Sequence, residues 1–167
     1  MLLPVPKFAA ALLAGAAVCG SAQAESPGPY EELAALAGEW EANLPGFGKL
    51  RNSIRLVSNG AAVEETIGTP ADNETSLYTR EGGVVLLTHF CALTPGGHVA
   101  RLAMQPRKGA HDPLEFVYVG SSNLPAPDSP HMRRVLITFS DHDHFTEQWT
   151  KVETAKDTVF ELHFVRR

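Results

Sequence analysis

The sequence predicts an all-β fold: an antiparallel up-and-down β-barrel of ten strands behind one short N-terminal helix. Ten stretches rich in alternating apolar, β-branched and aromatic residues follow one another between 39 and 166. Gly, Pro, Asn and Asp separate them at the close spacing of sandwiches and barrels. Several joints are short enough to force hairpins: "SNGA" at 58–61, "REGG" at 80–83, "TPGG" at 94–97 and "SDHDH" at 140–144. Consecutive strands therefore pair antiparallel, and a sheet this long curls closed to remove its edges.

The chain opens on a segment that stands outside the fold. Lys7 precedes a compact apolar run, "FAAALLAGAAVCG" at 8–20, and "SAQA" then puts small residues at Ala22 and Ala24. That is the pattern of an export signal peptide over 1–24, cleaved after Ala24, and its run is too short for a stable membrane anchor. Lipidation at Cys19 is the alternative, with Val18 a poor fit where a small residue is needed. One domain, 25–167, remains for the periplasm or the exterior, long enough for one core.

Ser26 is placed to cap a helix that includes Pro29 and runs to about 37, with Leu33, Leu36 and Ala37 on one side and Gly38 ending it. Strands follow at 39–44, 50–58, 61–68, 74–80, 84–93, 98–105, 114–120, 132–141, 144–153 and 158–166. In the second, Leu50, Ile54 and Leu56 oppose Arg51, Ser53 and Arg55, the pattern of one buried face. Val135, Ile137 and Phe139 oppose Arg134, Thr138 and Ser140 in the eighth. Phe160, Leu162 and Phe164 oppose Glu161 and His163 in the last. The fifth is apolar on both faces: Val84, Leu86, Phe90 and Ala92 on one, Val85, Leu87, His89, Cys91 and Leu93 on the other. Its outer side asks for cover, from the helix or from the second subunit of a homodimer. Residues 121–130, "SSNLPAPDSP", suit a loop at a barrel rim.

Charge narrows the partners. With 14 basic against 19 acidic residues the chain carries a net −5, and losing Lys7 makes it more acidic. No basic stripe suits nucleic acid or an anionic membrane surface, and no later apolar run has spanning length. Without the leader, Cys91 is the single cysteine, so no internal disulfide forms and stability rests on the core.

Certain motifs look familiar. "LAGEWEANLPGFG" at 36–48, with Gly38 and Trp40 opening the first strand, resembles the Gly-x-Trp start of lipocalin-like, or calycin, β-barrels. "LLTHFCAL" at 86–93, "LEFVYVGSSN" at 114–123 and "HMRRVLITFSDHDHFTEQW" at 131–149 resemble, in that order, a bacterial lipocalin-like domain family without an assigned function. The likeness covers the mature chain. It implies a lipocalin- or fatty-acid-binding-protein-like barrel with Trp40 plugging its floor, and says little about activity. The tail "FELHFVRR" at 160–167 is similar to nitrobindin, a haem barrel, and that similarity would make His163 an iron ligand. Two features run against it: "EANLPGFG" breaks up the glycine-rich segment, and His163 points outward if its apolar neighbours fill the interior.

His89 and Cys91 share one face of the fifth strand, two residues apart, and the expectation is that they face the barrel interior. They can be packed core residues, ligand contacts or two corners of a metal site, for which one strand supplies too few ligands. At i and i+2 the side chains stand about 7 Å apart, too far for a direct thiol–imidazole pair. His131, where the rim loop enters a strand, suits a ligand contact at the mouth. Asn123 can orient a ligand or bond its own turn backbone. Arg101 is an ordinary surface charge if it faces out and a carboxylate partner if it faces in. Trp149 shares a face with Phe145 and Glu147, which suits a buried or ligand-facing indole. "DHDH" at 141–144 reads as a solvated turn, and His98 and His111 as surface turn residues. No Gly-rich phosphate loop, CxxC, HExxH or GxSxG is present. The prediction is a small hydrophobic ligand held non-covalently by His89, Cys91, His131, Asn123, Arg101 and Trp149. No catalytic residue and no cofactor is predicted, with haem on His163 as the alternative and a solid barrel with a structural or protein-interaction role as another.

Overall fold

The computed structural model describes residues 27–167 except 47, 70–71, 93–96 and 154–155. Residues 1–24, Cys19 among them, and Ser26 and Leu93 lie outside the described residues. Helix α1 (Pro29–Ala35) leads into β1 (Gly38–Leu44), β2 (Gly48–Val57), β3 (Ala62–Thr69), β4 (Asp72–Glu81) and β5 (Val84–Cys91). β6 (His98–Met104), β7 (Leu114–Ser122), β8 (His131–Asp141), β9 (His144–Val152) and β10 (Asp157–Arg166) complete the chain. Every strand pairs antiparallel with its sequence neighbours, and β1 closes the barrel on β10. The up-and-down barrel read from the short joints is the fold, and the strand limits differ from the expected ones by at most two residues.

The helix plugs one end. Pro29 stands in the first turn, where its missing N–H costs nothing, and Glu31 and Glu32 face the positive end of the dipole. The cap position belongs to Gly28, not to Ser26. A seven-residue helix does not stand alone in water, so contacts with the barrel hold it. Tyr30 and Leu33 are buried, the Tyr30 hydroxyl donates to the Gly60 carbonyl at 2.7 Å, and Arg107 grips Glu32 at 2.6 Å. Arg80 pairs with Glu31 and lies over the Tyr30 ring. Ala37, expected on the packed side, is exposed, because the helix has already ended at Leu36 and the chain is turning into β1. Gly38 opens that strand at φ +147°, and a Cβ there would meet the Arg166 guanidinium at 2.5 Å.

Trp40 completes the plug. Its indole N–H donates to the Leu36 carbonyl at 2.8 Å, its ring meets Phe145 edge-on at 4.7 Å, and Arg166 covers the other face at 4.1 Å. Phe145 stacks in turn on Phe164 at 4.8 Å. The β1–β10 seam is short, and Arg166 and Arg167 extend it by bonding the carbonyls of Ala37 and Glu39.

Three expectations change. Leu56 is 48% exposed, because the inward row of β2 ends at Ile54 and Leu56 sits at the rim beside the 3₁₀ turn Ser58–Gly60. His98, at the expected start of β6, is not at the surface: it pairs with Cys91 and is buried. The outer side of β5 is not covered by the helix, which sits at the barrel end, so Val84 and Phe90 remain exposed. Among the described residues no helix is long and apolar enough to cross a membrane.

Trp40→Ala removes both the ring that fills the floor and a buried donor. We predict a loss of about 3–5 kcal/mol in urea unfolding, the range for large aromatic truncations. A loss under about 1 kcal/mol would mean that the floor does not depend on this plug.

Candidate functional site

The register decides which polar side chains enter the barrel. Cross-strand pairing puts Glu65 of β3 opposite Ser76 of β4, Ser76 opposite His89 of β5, and His89 opposite Ala100 of β6. All four are buried. From the far wall, β9 sends in Phe145, Glu147 and Trp149, each about 1% exposed.

In the middle of the barrel two carboxyls meet. Glu65 accepts from the Asn52 amide at 2.6 Å and the Tyr78 hydroxyl at 2.9 Å, and Glu147 accepts from the Trp149 indole at 2.8 Å. The two acids are also bonded to each other. Burial raises the pKa of both, and the charge of Glu65 drives that of Glu147 well above the carboxylate range. Of the two, Glu147 holds a proton the more firmly, and the pair is placed to share it. Burial and the same negative charge push the Tyr78 hydroxyl well up, so it remains a donor. Asn52, Glu65 and Tyr78 are absent from the residues the sequence singles out. Their signal is an acid or amide on the inward parity of an apolar strand, as in Leu50–Asn52–Ile54 or Val63–Glu65–Ile67.

Toward the helix the interior is filled. Beside Glu65, Tyr78 and Glu147 a void of about 10 Å³ remains, lined also by Leu33, Ile54 and Ile137. That is about the smallest volume that holds one water. A larger cleft, about 390 Å³, runs outside the barrel along α1 between Glu32, Arg107, Phe139 and Arg166. None of the residues predicted to bind ligand lines it.

The opposite end, where β5, β7 and β9 finish and β6 and β8 begin, collects the predicted site. His89 and Cys91 both face inward and are 2% and 3% exposed. The His89 ring lies 4.7 Å from that of Trp149, and its Nδ1 is 3.1 Å from Ser76 Oγ. Its Nε2 is buried and has no hydrogen-bond partner. Burial, reinforced by nearby His98, lowers the His89 pKa to about 3, so the imidazole is neutral. Burial lowers the pKa of His98 too, with His131 and Lys151 adding to the effect. Glu74, the next inward residue of β4 after Ser76, brings its carboxylate to 3.4 Å from Cys91 Sγ and 3.6 Å from His89 Nε2. Nothing in the sequence alone marks it, since only the β4–β5 register brings it to Cys91. The ligand atoms of Glu74, His89 and Cys91 all lie within 4.8 Å of one another.

His131 is half-buried at this end. Its Nδ1–H donates to the Ser129 carbonyl at 2.8 Å, and its ring packs on Tyr118 at 4.5 Å. Two other candidates stand apart. Arg101 points outward, is exposed and bonds Ser122 Oγ at 3.1 Å. Asn123 is an exposed turn residue at φ 64°, a backbone role. His163 lies on the outer face of β10 with its side chain 72% exposed, bonded to Thr146, so it reaches no interior space for haem. Asp141, His142 and His144 form the exposed β8–β9 turn, where His144 bonds Asp141 at 2.8 Å. No family model and no curated protein matches this chain.

The acid pair makes stability depend on pH. A carboxyl whose folded pKa lies above its unfolded value of about 4.5 binds more protons in the native state. Stability from it is complete below that value and is lost as pH rises through the raised one. Glu147→Gln keeps an N–H for Glu65 and an oxygen for Trp149 without titrating. We predict that the unfolding free energy of the wild type, from urea titration, falls between pH 5 and 9 by more than that of Glu147→Gln, by at most about 1.4 kcal/mol per pH unit. Parallel profiles would show that the pair does not hold a shared proton.

Proposed function

We propose that this protein is an exported, lipocalin-like binding barrel that takes a small ligand at the end opposite its helix. The observation that carries this reading is the His89 imidazole: buried, neutral, fixed through Nδ1, and with Nε2 unbonded beside the Trp149 ring. A buried polar atom without a partner costs on the order of 1–3 kcal/mol, and a ligand supplying that partner recovers it. The filled half of the barrel leaves a ligand only the end away from the helix. Trp149 and Tyr118 offer apolar contact for a hydrophobic part, and His89, Cys91 and His131 offer polar contact for a head group. Membership of the bacterial lipocalin-like family, removal of residues 1–24 and a periplasmic or extracellular address belong to the same proposal.

Native mass spectrometry of protein purified from its own exported fraction tests this. The expected result is one small adduct per chain, absent from His89→Ala and reduced in Trp149→Ala. A bare mass in repeated wild-type preparations would overturn the reading.

One observation favours a second reading. Val84 and Phe90 on the outer face of β5 and Val119 on β7 are 43%, 42% and 60% exposed. An apolar strip of this kind suits a subunit interface. Light scattering should then give twice the chain mass, and Phe90→Ser the single mass. A wild-type monomer at high concentration would exclude it.

A further inference from the structure

We propose that Glu74, His89 and Cys91 form a binding site for one divalent late-transition-metal ion of the zinc kind, with a fourth position open toward the ligand. This deepens the binding reading above and rests on the end away from the helix being the binding end.

The geometry is that of a nearly assembled site. A tetrahedral zinc bound by sulfur at about 2.3 Å and by nitrogen and oxygen at about 2.0–2.2 Å separates its ligand atoms by roughly 3.3–3.7 Å. Glu74 Oε1 stands 3.4 Å from Cys91 Sγ and Oε2 3.6 Å from His89 Nε2, and one ligand atom from each residue lies within 4.8 Å of the other two. Small rotations of the carboxylate and thiol converge all three on one point. The ligands sit on paired strands of a closed barrel, with Ser76 registered to His89 and Thr75 to Phe90, so their spacing is set by the sheet.

His89 supplies the independent indication. It is 2% exposed, and its Nε2 has no hydrogen-bond partner although it faces Glu74. Nδ1–H donating to Ser76 Oγ would leave the Nε2 lone pair directed at the metal, the outer-shell arrangement that orients ligating imidazoles. Thiolate, imidazole and one carboxylate select a borderline ion; magnesium and calcium require oxygen ligands. On binding, the Cys91 thiol releases its proton to solvent and its sulfur forms the metal bond. Glu74, with 24% of its side chain exposed, is the side from which an ion arrives. Three protein ligands leave the fourth position for a water or a ligand head group, as in open zinc sites.

Cobalt(II) tests this in the full chain, without a histidine tag, after reduction and chelator treatment. One equivalent should give intense visible bands of tetrahedral cobalt and a near-ultraviolet thiolate-to-cobalt band, both removed by one equivalent of zinc. Cys91→Ser, close to isosteric, should lose the near-ultraviolet band. His89→Ala and Glu74→Gln should weaken binding about tenfold or more, with near-ultraviolet circular dichroism reporting the fold of each variant. His144→Ala, in the exposed turn, should leave the titration unchanged. Cobalt bound without a thiolate band, binding abolished by His144→Ala, or no binding by the wild type would each overturn the site. A small-molecule adduct that persists without metal would leave the binding reading standing; absence of both would remove it as well.

Discussion

In a closed barrel a side chain points in or out, and the choice alternates at every residue. Pairing Glu65 with Ser76 and Ser76 with His89 therefore commits three polar groups on adjacent strands to the interior at once. A one-residue slip in either pairing would turn a whole inward row to solvent. Val63, Tyr78 and Leu87, which share those rows and are almost fully buried, make any slip expensive. The apolar members of each row hold the register, and the register holds the polar members in place.

That commitment leaves the interior with a buried carboxyl whose hydrogen-bond partners carry no positive charge. Glu65 is held by the amide of Asn52 and the hydroxyl of Tyr78 and faces the carboxyl of Glu147. Such a group is tolerated when its oxygens are bonded and is costly when a donor is removed. Trp149 links this network to the end away from the helix, since its indole N–H ends on Glu147 while its ring packs against His89. A change at the acid pair thus reaches the site through one rigid side chain.

The architecture was largely legible because its determinants are local. Hairpin joints and period-two alternation need no knowledge of distant residues, and they mark the strands; the plugged floor is what the resemblance of Gly38 and Trp40 to a Gly-x-Trp barrel start implies. Parity puts His89 and Cys91 on one face of the fifth strand and Trp149 with Phe145 on the ninth; that these faces look inward is a finding of the structure. Illegible parts are those set by register. Glu74 joins Cys91 only through the pairing of β4 with β5, and Glu65 meets Glu147 across the barrel, a separation no window of sequence spans. His98 was misread for a simpler reason: it follows two glycines and looks like turn, yet the ladder with β5 extends far enough to bury it beside Cys91. Arg101 and Asn123 show the converse, polar residues on promising strands that parity and backbone φ send elsewhere.

His89 stands at the boundary between two halves of different character. Its Nδ1 side meets Ser76, which in register is the next neighbour of Glu65, and so belongs to the packed half. Its Nε2 side meets Glu74, which is partly exposed, and the row of Cys91 and His98 beyond it. A site that must hold its groups within about half an ångström needs side chains whose rotamers are locked from behind. The filled half supplies that support, with Trp149 against one face of the ring and Ser76 at one nitrogen. The packing that denies this barrel a long hydrophobic tunnel is the same packing that leaves one imidazole nitrogen facing Glu74, at the end away from the helix.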